Sequence, residues 1–328
     1  MRLTHVLLLA TIAMATVIPR EATQETDVPG ALWRTDVFPA LRQGPPIAGL
    51  GPFMLIGAWE LHSHQQQFGN FSALGMRADG SMVALSDRSA VLFLSRPDRP
   101  GPWHAHSKEL RAPLARPDLN WGDGESLIIL PHSDDLLMID EGTPEIFEFT
   151  PKLRIVGKRV ILALSEWSPN QGPEASALLA DGRTVMLQEG YTSLFTRTDH
   201  GGFIFKGLPR TGESPRRFRL VMPPGYRPTE LARLGDGRLL LLGRKFTLGG
   251  FRSLIALVDP ATIRPGATVT PHVLAHITDP RVRDNYEGMT VTREPDGTSA
   301  VWLISDSNDM VWLQRTLLLK LRFAPDRI

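Results

Sequence analysis

Cysteine is absent from this chain of 328 residues. This absence excludes a disulfide framework, and it also excludes a bacterial lipid anchor attached to a cysteine. The fold must therefore be stabilised by packing, and a hydrophobic content of 42% is enough for a sizeable core.

The chain also lacks an excess of charge of either sign. Lys and Arg number 36 against 35 Asp and Glu, which gives a formal net charge of +1, and no run of basic residues occurs. Proteins that bind nucleic acids carry a basic patch or stripe. The composition therefore disfavours a nucleic-acid partner.

Several catalytic motifs are missing from the sequence. It contains no P-loop, dinucleotide fingerprint, H-E-x-x-H motif or EF-hand loop. The segment 124–128 lacks the last glycine of the G-x-S-x-G turn of α/β-hydrolases, and the R-H-G-x-R-x-P signature of histidine acid phosphatases is absent. A serine esterase of the α/β-hydrolase kind and a phosphohistidine route are both disfavoured.

The N-terminus has the features of an export signal. Arg2 is followed by an apolar stretch from Val6 to Val17, and Ala13-Met14-Ala15 forms an A-x-A cleavage pattern. The stretch is short for a bilayer span. We predict a signal peptide over residues 1–15, cleaved after Ala15, with an uncleaved anchor as the alternative.

The predicted domain organisation follows from this signal. Residues 16–44 are polar and irregular and are interpreted as a linker, and residues 45–328 form the folded domain. We expect a bacterial protein of the periplasm or the secreted fraction, a monomer, with no membrane span after cleavage.

What the sequence does contain is a hairpin pattern that recurs five times, with unit starts 49 to 57 residues apart. Each unit has a polar start, an apolar run, a turn, a second apolar run and a polar end. The units are 70–87, 124–141, 173–189, 229–245 and 286–306. A fixed period of this length indicates a repeat architecture.

Four of the five turns contain Asp-Gly, and the second unit has 132–135 instead. Asp-Gly between two β-rich runs predicts a two-residue hairpin turn with positive φ. The Asp-Gly pairs are 79–80, 181–182, 236–237 and 296–297.

The period leaves room for about four strands per unit, which predicts an all-β fold, a β-propeller with five blades. Six blades are the alternative count, and an open pair of β-sandwiches is the alternative fold. A strand near Met54 to His62 is predicted to complete the last blade beside Thr316 to Phe323, because pairing the chain ends removes open sheet edges.

Polar residues recur at equal distances from the turns, and residues at equal distance face each other across a two-residue hairpin. The first strand of each blade lines the channel, so these residues are predicted to meet at one rim. The equidistant pairs are Ser72 with Asp87, Glu174 with Glu189, Thr229 with Arg244, and Glu287 with Asp306. Glu125 and Glu141 flank the second turn at similar distances, and Glu230 and Lys245 lie one step further along the fourth unit.

Carboxylates that converge repel one another unless a cation is present, and Ca²⁺ prefers oxygen ligands. The predicted ligands of Ca²⁺ or another divalent cation are Glu125, Glu174, Glu287 and Asp306. The structural alternative is that these acids accept hydrogen bonds from arginines and turn amides.

Two further roles are assigned at the same rim. Asp87 or Glu189 is the predicted general base. Cationic side chains near the acids are predicted to bind an anionic substrate: Arg88, Arg244, Lys245 and Arg315.

Several blocks in the units resemble the bacterial phytase-like family, named for an esterase-like activity of phytase. They are 70–74, 85–88, 123–126, 172–175, 180–184, 285–289, 304–308 and 313–316. The resemblance covers about Gly51 to Phe323 and implies an exported β-propeller that hydrolyses phosphate or carboxylic esters. Ser72 and Gly243-Arg244-Lys245 depart from the acids of the other units, and the latter replaces an anionic corner with a cationic one.

The sequence thus predicts an ester hydrolase with a carboxylate-rich site at the channel mouth. The alternative is a non-enzymatic propeller that binds a small anionic ligand or a protein partner.

Overall fold

A computed structural model of the chain describes residues 32–65, 68–88, 90–110, 124–141, 143–168, 171–193, 195–307 and 315–324. The predicted signal peptide and its cleavage site lie outside these residues. The described helices include none that is both long and apolar enough to cross a bilayer.

The strands form five sheets, one for each repeat unit, and every pairing but that of one short strand is antiparallel. The N-terminal segment contains β1 (Leu32–Asp36), helix α1 (Phe38–Gln43) and β2 (Phe53–Ser63). Blade 1 contains β3 (Phe71–Met76), β4 (Met82–Ser86), β5 (Ala90–Leu94) and β6 (Ala105–Glu109). Blade 2 contains β7 (Gly124–Ile129), β8 (Leu136–Asp140), β9 (Glu145–Phe149) and β10 (Ile155–Val160).

The second half of the chain continues the pattern with two short 3₁₀ turns, Leu162–Glu166 and Pro260–Thr262. Blade 3 contains β11 (Pro173–Leu178), β12 (Thr184–Tyr191), β13 (Asp199–Phe205) and β14 (Arg216–Val221). Blade 4 contains β15 (Arg227–Arg233), β16 (Leu239–Thr247), β17 (Gly250–Val258) and β19 (His272–Ile277), while the short β18 (Thr268–Val269) pairs in parallel with β14. Blade 5 contains β20 (Tyr286–Arg293), β21 (Ser299–Ser305) and β22 (Thr316–Phe323).

The five innermost strands form a closed ring in which β3, β7, β11, β15 and β20 each contact the next, and β20 contacts β3. Blade 5 is completed by β2, which pairs with β22, and β1 adds an outer strand. The five-bladed propeller and its closure by an N-terminal strand are therefore confirmed. Part of the segment interpreted as a linker is ordered as β1 and α1, and the domain boundaries stay a prediction.

Apolar side chains on both faces of the strands pack between neighbouring blades. Val83 and Leu85 of blade 1 are fully buried in one cluster with Leu136 and Met138 of blade 2. Strands covered on both faces read as near-continuous apolar runs, as the sequence indicated.

The Asp-Gly turns differ from the prediction. Arg77 N donates to Ser81 O and Gly80 N donates to Arg77 O, so the loop has three residues, and only Gly80 has a positive φ (81°). The other three Asp-Gly turns repeat this pattern. The two-residue prediction was wrong because a type I turn followed by a left-handed glycine also satisfies Asp-Gly.

A second irregularity occurs in every innermost strand. Each contains one residue that has no partner in the register with the adjacent strand, which marks a β-bulge. These residues are Ser72, Glu125, Glu174, Thr229 and Glu287. The bulge recurs at the same place in all five blades, at the end of the strand away from the turn.

Candidate functional site

The five bulge residues form one ring at the channel mouth, which we call the bulge ring. A bulge bends its strand and re-aims the extra side chain. Ser72 Oγ donates to Gly124 O at 2.5 Å, and Thr229 Oγ1 donates to Tyr286 O at 3.5 Å, so the two hydroxyls bond to the next blade. The other three members of the ring are glutamates.

The three glutamates form a buried cluster. One carboxylate oxygen from each of Glu125, Glu174 and Glu287 lies within 4.8 Å of the others. All three side chains are buried. We call this set the carboxylate cluster. Of the four predicted metal ligands it contains three, and Asp306 is not a member.

A second set of site residues lies at the end of the second strand of a blade, opposite the residue two positions before the bulge. We call this set the second ring. Asp87, Glu189 and Asp306 donate their backbone N–H to residues 70, 172 and 285 respectively. Arg244 pairs with Arg227 at the same level of blade 4. The bulge and the longer turn together shift the register by two residues, so the expectation that Glu287 and Asp306 lie directly opposite each other was wrong.

Glu287 and Asp306 nevertheless meet through an amide. Asn285 Nδ2 donates to Glu287 Oε1 at 2.8 Å and to Asp306 Oδ2 at 2.9 Å. Asn285 is fully buried, and within the described part of the chain its Oδ1 has no hydrogen-bond partner.

The cation that contacts the carboxylate cluster is Arg244 of blade 4. Its Nη1 lies 2.8 Å from Glu287 Oε1, and its Nη2 donates to Glu189 Oε1 at 2.9 Å. Burial alone would lower the pKa of Arg244, but the surrounding carboxylates, Glu287 and Glu189 first, raise it well above its usual value. Arg244 therefore stays charged and joins blades 3, 4 and 5.

Glu189 is held by two arginines. Its Oε2 accepts from Arg227 Nη1 at 2.8 Å while Oε1 accepts from Arg244. Sequence reasoning missed Arg227. The sequence contained no signal for it, because the register predicted from a two-residue turn placed Thr229 opposite Arg244, whereas the bulge and the longer turn place Arg227 there. Like charges that face each other are unfavourable without a shared anion, and here Glu189 supplies it.

The carboxyl groups around Arg244 outnumber this one cation. Burial raises the pKa of Glu174 well above its usual value, and the nearby Glu189 and Glu287 add to the rise against Arg244. Burial, Asp306 and Glu189 likewise raise the pKa of Glu287 to about 8 in spite of Arg244. Glu174 Oε2 is buried and has no hydrogen-bond partner among the residues that the structure describes. An unpaired buried carboxylate oxygen is costly.

The cluster has the donor set of a hard divalent cation. Three carboxylates converge, one of them with an unsatisfied oxygen, and nearby Asn285 Oδ1 is a further unsatisfied acceptor. Ca²⁺ binds carboxylate and amide oxygens. The residues present therefore fit such an ion.

The other side chains predicted to bind substrate have partners that differ from those of Arg244. Lys245 Nζ donates to Pro224 O at 3.3 Å and lies 5.2 Å from the centroid of the Tyr226 ring, away from the cluster. Arg315 Nη2 donates to Arg281 O at 3.4 Å. Arg88 follows directly after Asp87 of the second ring, and its backbone N–H donates to Ser86 Oγ. Their roles in substrate binding stay predictions, as do those of Asp87 and Glu189 as bases.

Glu230 lies in the channel rather than in the bulge ring, where Thr229 takes the position. The side chain is buried and lines, together with Ser176 and Thr290, a cavity of about 200 Å³ to which all five innermost strands contribute residues. Its carboxyl group accepts hydrogen bonds from the amides of Leu231 and Leu74. Burial raises the pKa of Glu230 well above its usual value in spite of these two amides.

Comparison with known proteins gives the family. The family model described as phytase-like, "esterase-like activity of phytase", matches residues 66–309. The chain belongs to the phytase-like family. The match includes the whole bulge ring and all of the second ring, which confirms the resemblance read from the sequence blocks. No curated protein matches the chain significantly.

Comparison with solved structures finds similar chains at low sequence identity to this family member. Virginiamycin B lyase from Staphylococcus aureus is 10% identical, with a TM-score of 0.40 over 90% of this chain and 99% of that one. The PQQ-bound aldose sugar dehydrogenase from Streptomyces coelicolor is 11% identical, with a TM-score of 0.45 over 85% and 99%. A luciferin-regenerating enzyme is 8% identical, with a TM-score of 0.45 over 78% and 92%.

Proposed function

We propose that this protein is an exported hydrolase of phosphate or carboxylic esters that uses a divalent cation, Ca²⁺ in the first instance. The observation that carries the proposal is the buried carboxylate cluster with its unsatisfied Glu174 Oε2. The family name supports the reaction class.

Each residue of the cluster has a part in this proposal. Glu125, Glu174 and Glu287 would hold the cation, which supplies Lewis-acid polarisation of an ester oxygen and activation of a water. Arg244 fixes the position of Glu287 and Glu189 through its two bonds. Asn285 holds Asp306 beside Glu287, and Asp87 or Glu189 would act as the general base.

A non-enzymatic role, in which the propeller binds a protein partner, is the second candidate, and one observation favours it over both hydrolysis of an anionic ester and capture of a small anion. The cation expected to receive an anionic substrate, Arg244, is already bonded to two carboxylates. An anionic ligand at this position would have to compete with Glu189 and Glu287.

The first experiment measures the cation itself. We expect purified protein to bind Ca²⁺ in calorimetry and to hydrolyse members of a panel of phosphomonoesters and acyl esters, with turnover lost on chelation. Glu174→Gln should lower cation affinity at least about tenfold, because an anionic ligand becomes neutral. Glu166→Gln is the matched control, since Glu166 is exposed and pairs with Arg217.

The outcomes separate the two candidates. Cation binding that depends on Glu174 without turnover of any ester would support the binding role. Failure of folded wild-type protein to bind Ca²⁺, Mg²⁺, Mn²⁺ or Zn²⁺ would refute the cation site, and the acids would then act through protons and Arg244 alone.

A further inference from the structure

The hairpin between β16 and β17 projects beyond blade 4. The inner strand of the blade stops at Arg227 opposite Arg244, and the outer strand stops at Ile277 opposite Ser253. Residues 245–252 therefore continue as a two-stranded ribbon, and none of the described strands lies beside it. The ribbon starts one residue from Arg244, so it rises at the same rim as the carboxylate cluster.

The end of this ribbon is apolar and exposed to solvent. Phe246 is 68% exposed and Leu248 is fully exposed. Phe246 pairs with Phe251 across the strands, with ring centroids 5.0 Å apart. We call Phe246, Leu248 and Phe251 the ribbon tip. Large apolar side chains this exposed are typical of interaction sites when they occur together.

Cations flank the ribbon tip from its base to its turn. Lys245 and Arg252 are directly opposite each other, an arrangement that is destabilising for like charges. The guanidinium groups of Arg252 and Arg283 both lie within 4 Å of the position that a side chain on Gly249 would occupy. None of these three cations forms a salt bridge within the described part of the chain, and Arg252 Nε is buried without a partner. The cations are thus placed to receive an anion.

An apolar end flanked by cations matches the chemistry of an anionic membrane surface. From Lys245 to Leu248 the ribbon extends roughly 10 Å, which is comparable with the depth to which interfacial segments enter the headgroup region. A tip of three side chains is far too small for a stable protein interface of about 800 Å² per partner. We propose that the ribbon tip docks on an anionic phospholipid bilayer, with Phe246 and Leu248 in the acyl boundary and the three cations at lipid phosphates. This inference does not depend on the proposed ester hydrolysis.

Vesicle binding tests the proposal directly. The protein is sedimented with vesicles of phosphatidylcholine alone and of equal parts phosphatidylcholine and phosphatidylglycerol. We expect binding to the anionic vesicles that weakens with salt. Phe246→Ser combined with Leu248→Ser should lower the partition coefficient at least about tenfold, because two apolar side chains no longer enter the bilayer. Leu162→Ser, at another exposed leucine in a 3₁₀ turn, is the matched control and should bind like wild type.

A second arm removes the cations and tests free phosphate. Lys245→Gln combined with Arg252→Gln should abolish the preference for anionic vesicles. Because all these side chains are at least partly exposed, unchanged unfolding midpoints are expected and confirm that the variants are folded. Wild-type protein that ignores anionic vesicles, or a double-serine variant that binds like wild type, would overturn the proposal. Displacement from vesicles by millimolar inorganic phosphate would also overturn it, in favour of a soluble anion site.

Discussion

At the scale of single residues, the site is defined by which acids have a partner. Glu189 is bonded to two arginines, while Glu174 is buried with one oxygen unsatisfied. Both come from polar ends of one hairpin, and the sequence contained no sign of which one would be paired with arginine. The difference arises because the bulge turns Glu174 into the channel, whereas Glu189 lies beside the neighbouring blade 4.

Glu230 provides a prediction about pH at this scale. Its pKa is raised by burial, so the folded protein keeps this proton at pH values where the unfolded chain has lost it. Stability therefore falls as pH rises from the ordinary glutamate pKa of about 4.3 upward. We expect Glu230→Gln to become progressively more stable relative to wild type between about pH 5 and 8.

Urea unfolding of both proteins over this pH range measures the difference. The comparison cancels the contributions of Glu174 and Glu287, which titrate in both proteins. A stability difference that does not change with pH would show that Glu230 is ionised in the folded state.

At the scale of elements, the innermost strands of the first and last blades approach unusually closely. A Cβ on Gly288 would lie 2.8 Å from the backbone carbonyl carbon of Ala73 and from Leu74 N, and 2.6 Å from Ile304 Cγ2. The glycine after the bulge residue Glu287 therefore permits β20 to pack against β3. Leu74 N also donates to the Glu230 carboxyl, so three blades meet at this point.

Gly288→Ala is expected to destabilise the protein by about 1–3 kcal/mol, because backbone atoms cannot move aside as a flexible side chain can. Thermal and urea unfolding measure the loss. Gly207→Ala is the control, since a Cβ at Gly207 meets nothing within 4 Å and its φ is not positive. Equal effects of the two substitutions would contradict the close-packing argument.

At the scale of the whole molecule, the ring is closed by sheet pairing and by buried charges. Arg96 and Asp98 follow β5 of blade 1, while Glu294 and Lys320 belong to blade 5. Arg96 Nη2 lies 2.7 Å from Asp98 and 2.9 Å from Glu294, and Lys320 Nζ contacts the same two acids at 2.7 and 2.9 Å. Both cations lie over the ring of the buried Trp302.

Arg96→Ala should cost about 1.5–3 kcal/mol of unfolding free energy, because it removes a buried cation that bonds two partly exposed acids and packs over Trp302. Lys158→Ala, which breaks the more exposed pair with Glu145, should cost under about 1 kcal/mol. Chemical unfolding compares the two variants. A small effect of Arg96→Ala would mean that Lys320 alone neutralises Asp98 and Glu294, and that β2–β22 pairing closes the ring without this network.

The sequence by itself determined the blade count, the closing strand and the three glutamates of the cluster. These features depend on local patterns: apolar runs, Asp-Gly turns and polar strand ends repeat at a fixed period. Glu125, Glu174 and Glu287 stand at the same place in their units, so any ring of such units brings them together.

Only the tertiary structure decided the register of the paired strands and the bonding partners of the site residues. The three-residue turns and the five bulges change which residues are opposite, and neither leaves a distinct signal in a single sequence. The contacts of Arg244 with Glu189 and Glu287, and the amide bridge of Asn285, depend on where neighbouring strands and blades lie. Glu230 shows the same limit: one step along a strand moved a carboxyl group from the rim into the channel, because a bulge alters the two-residue alternation that a sequence reading assumes.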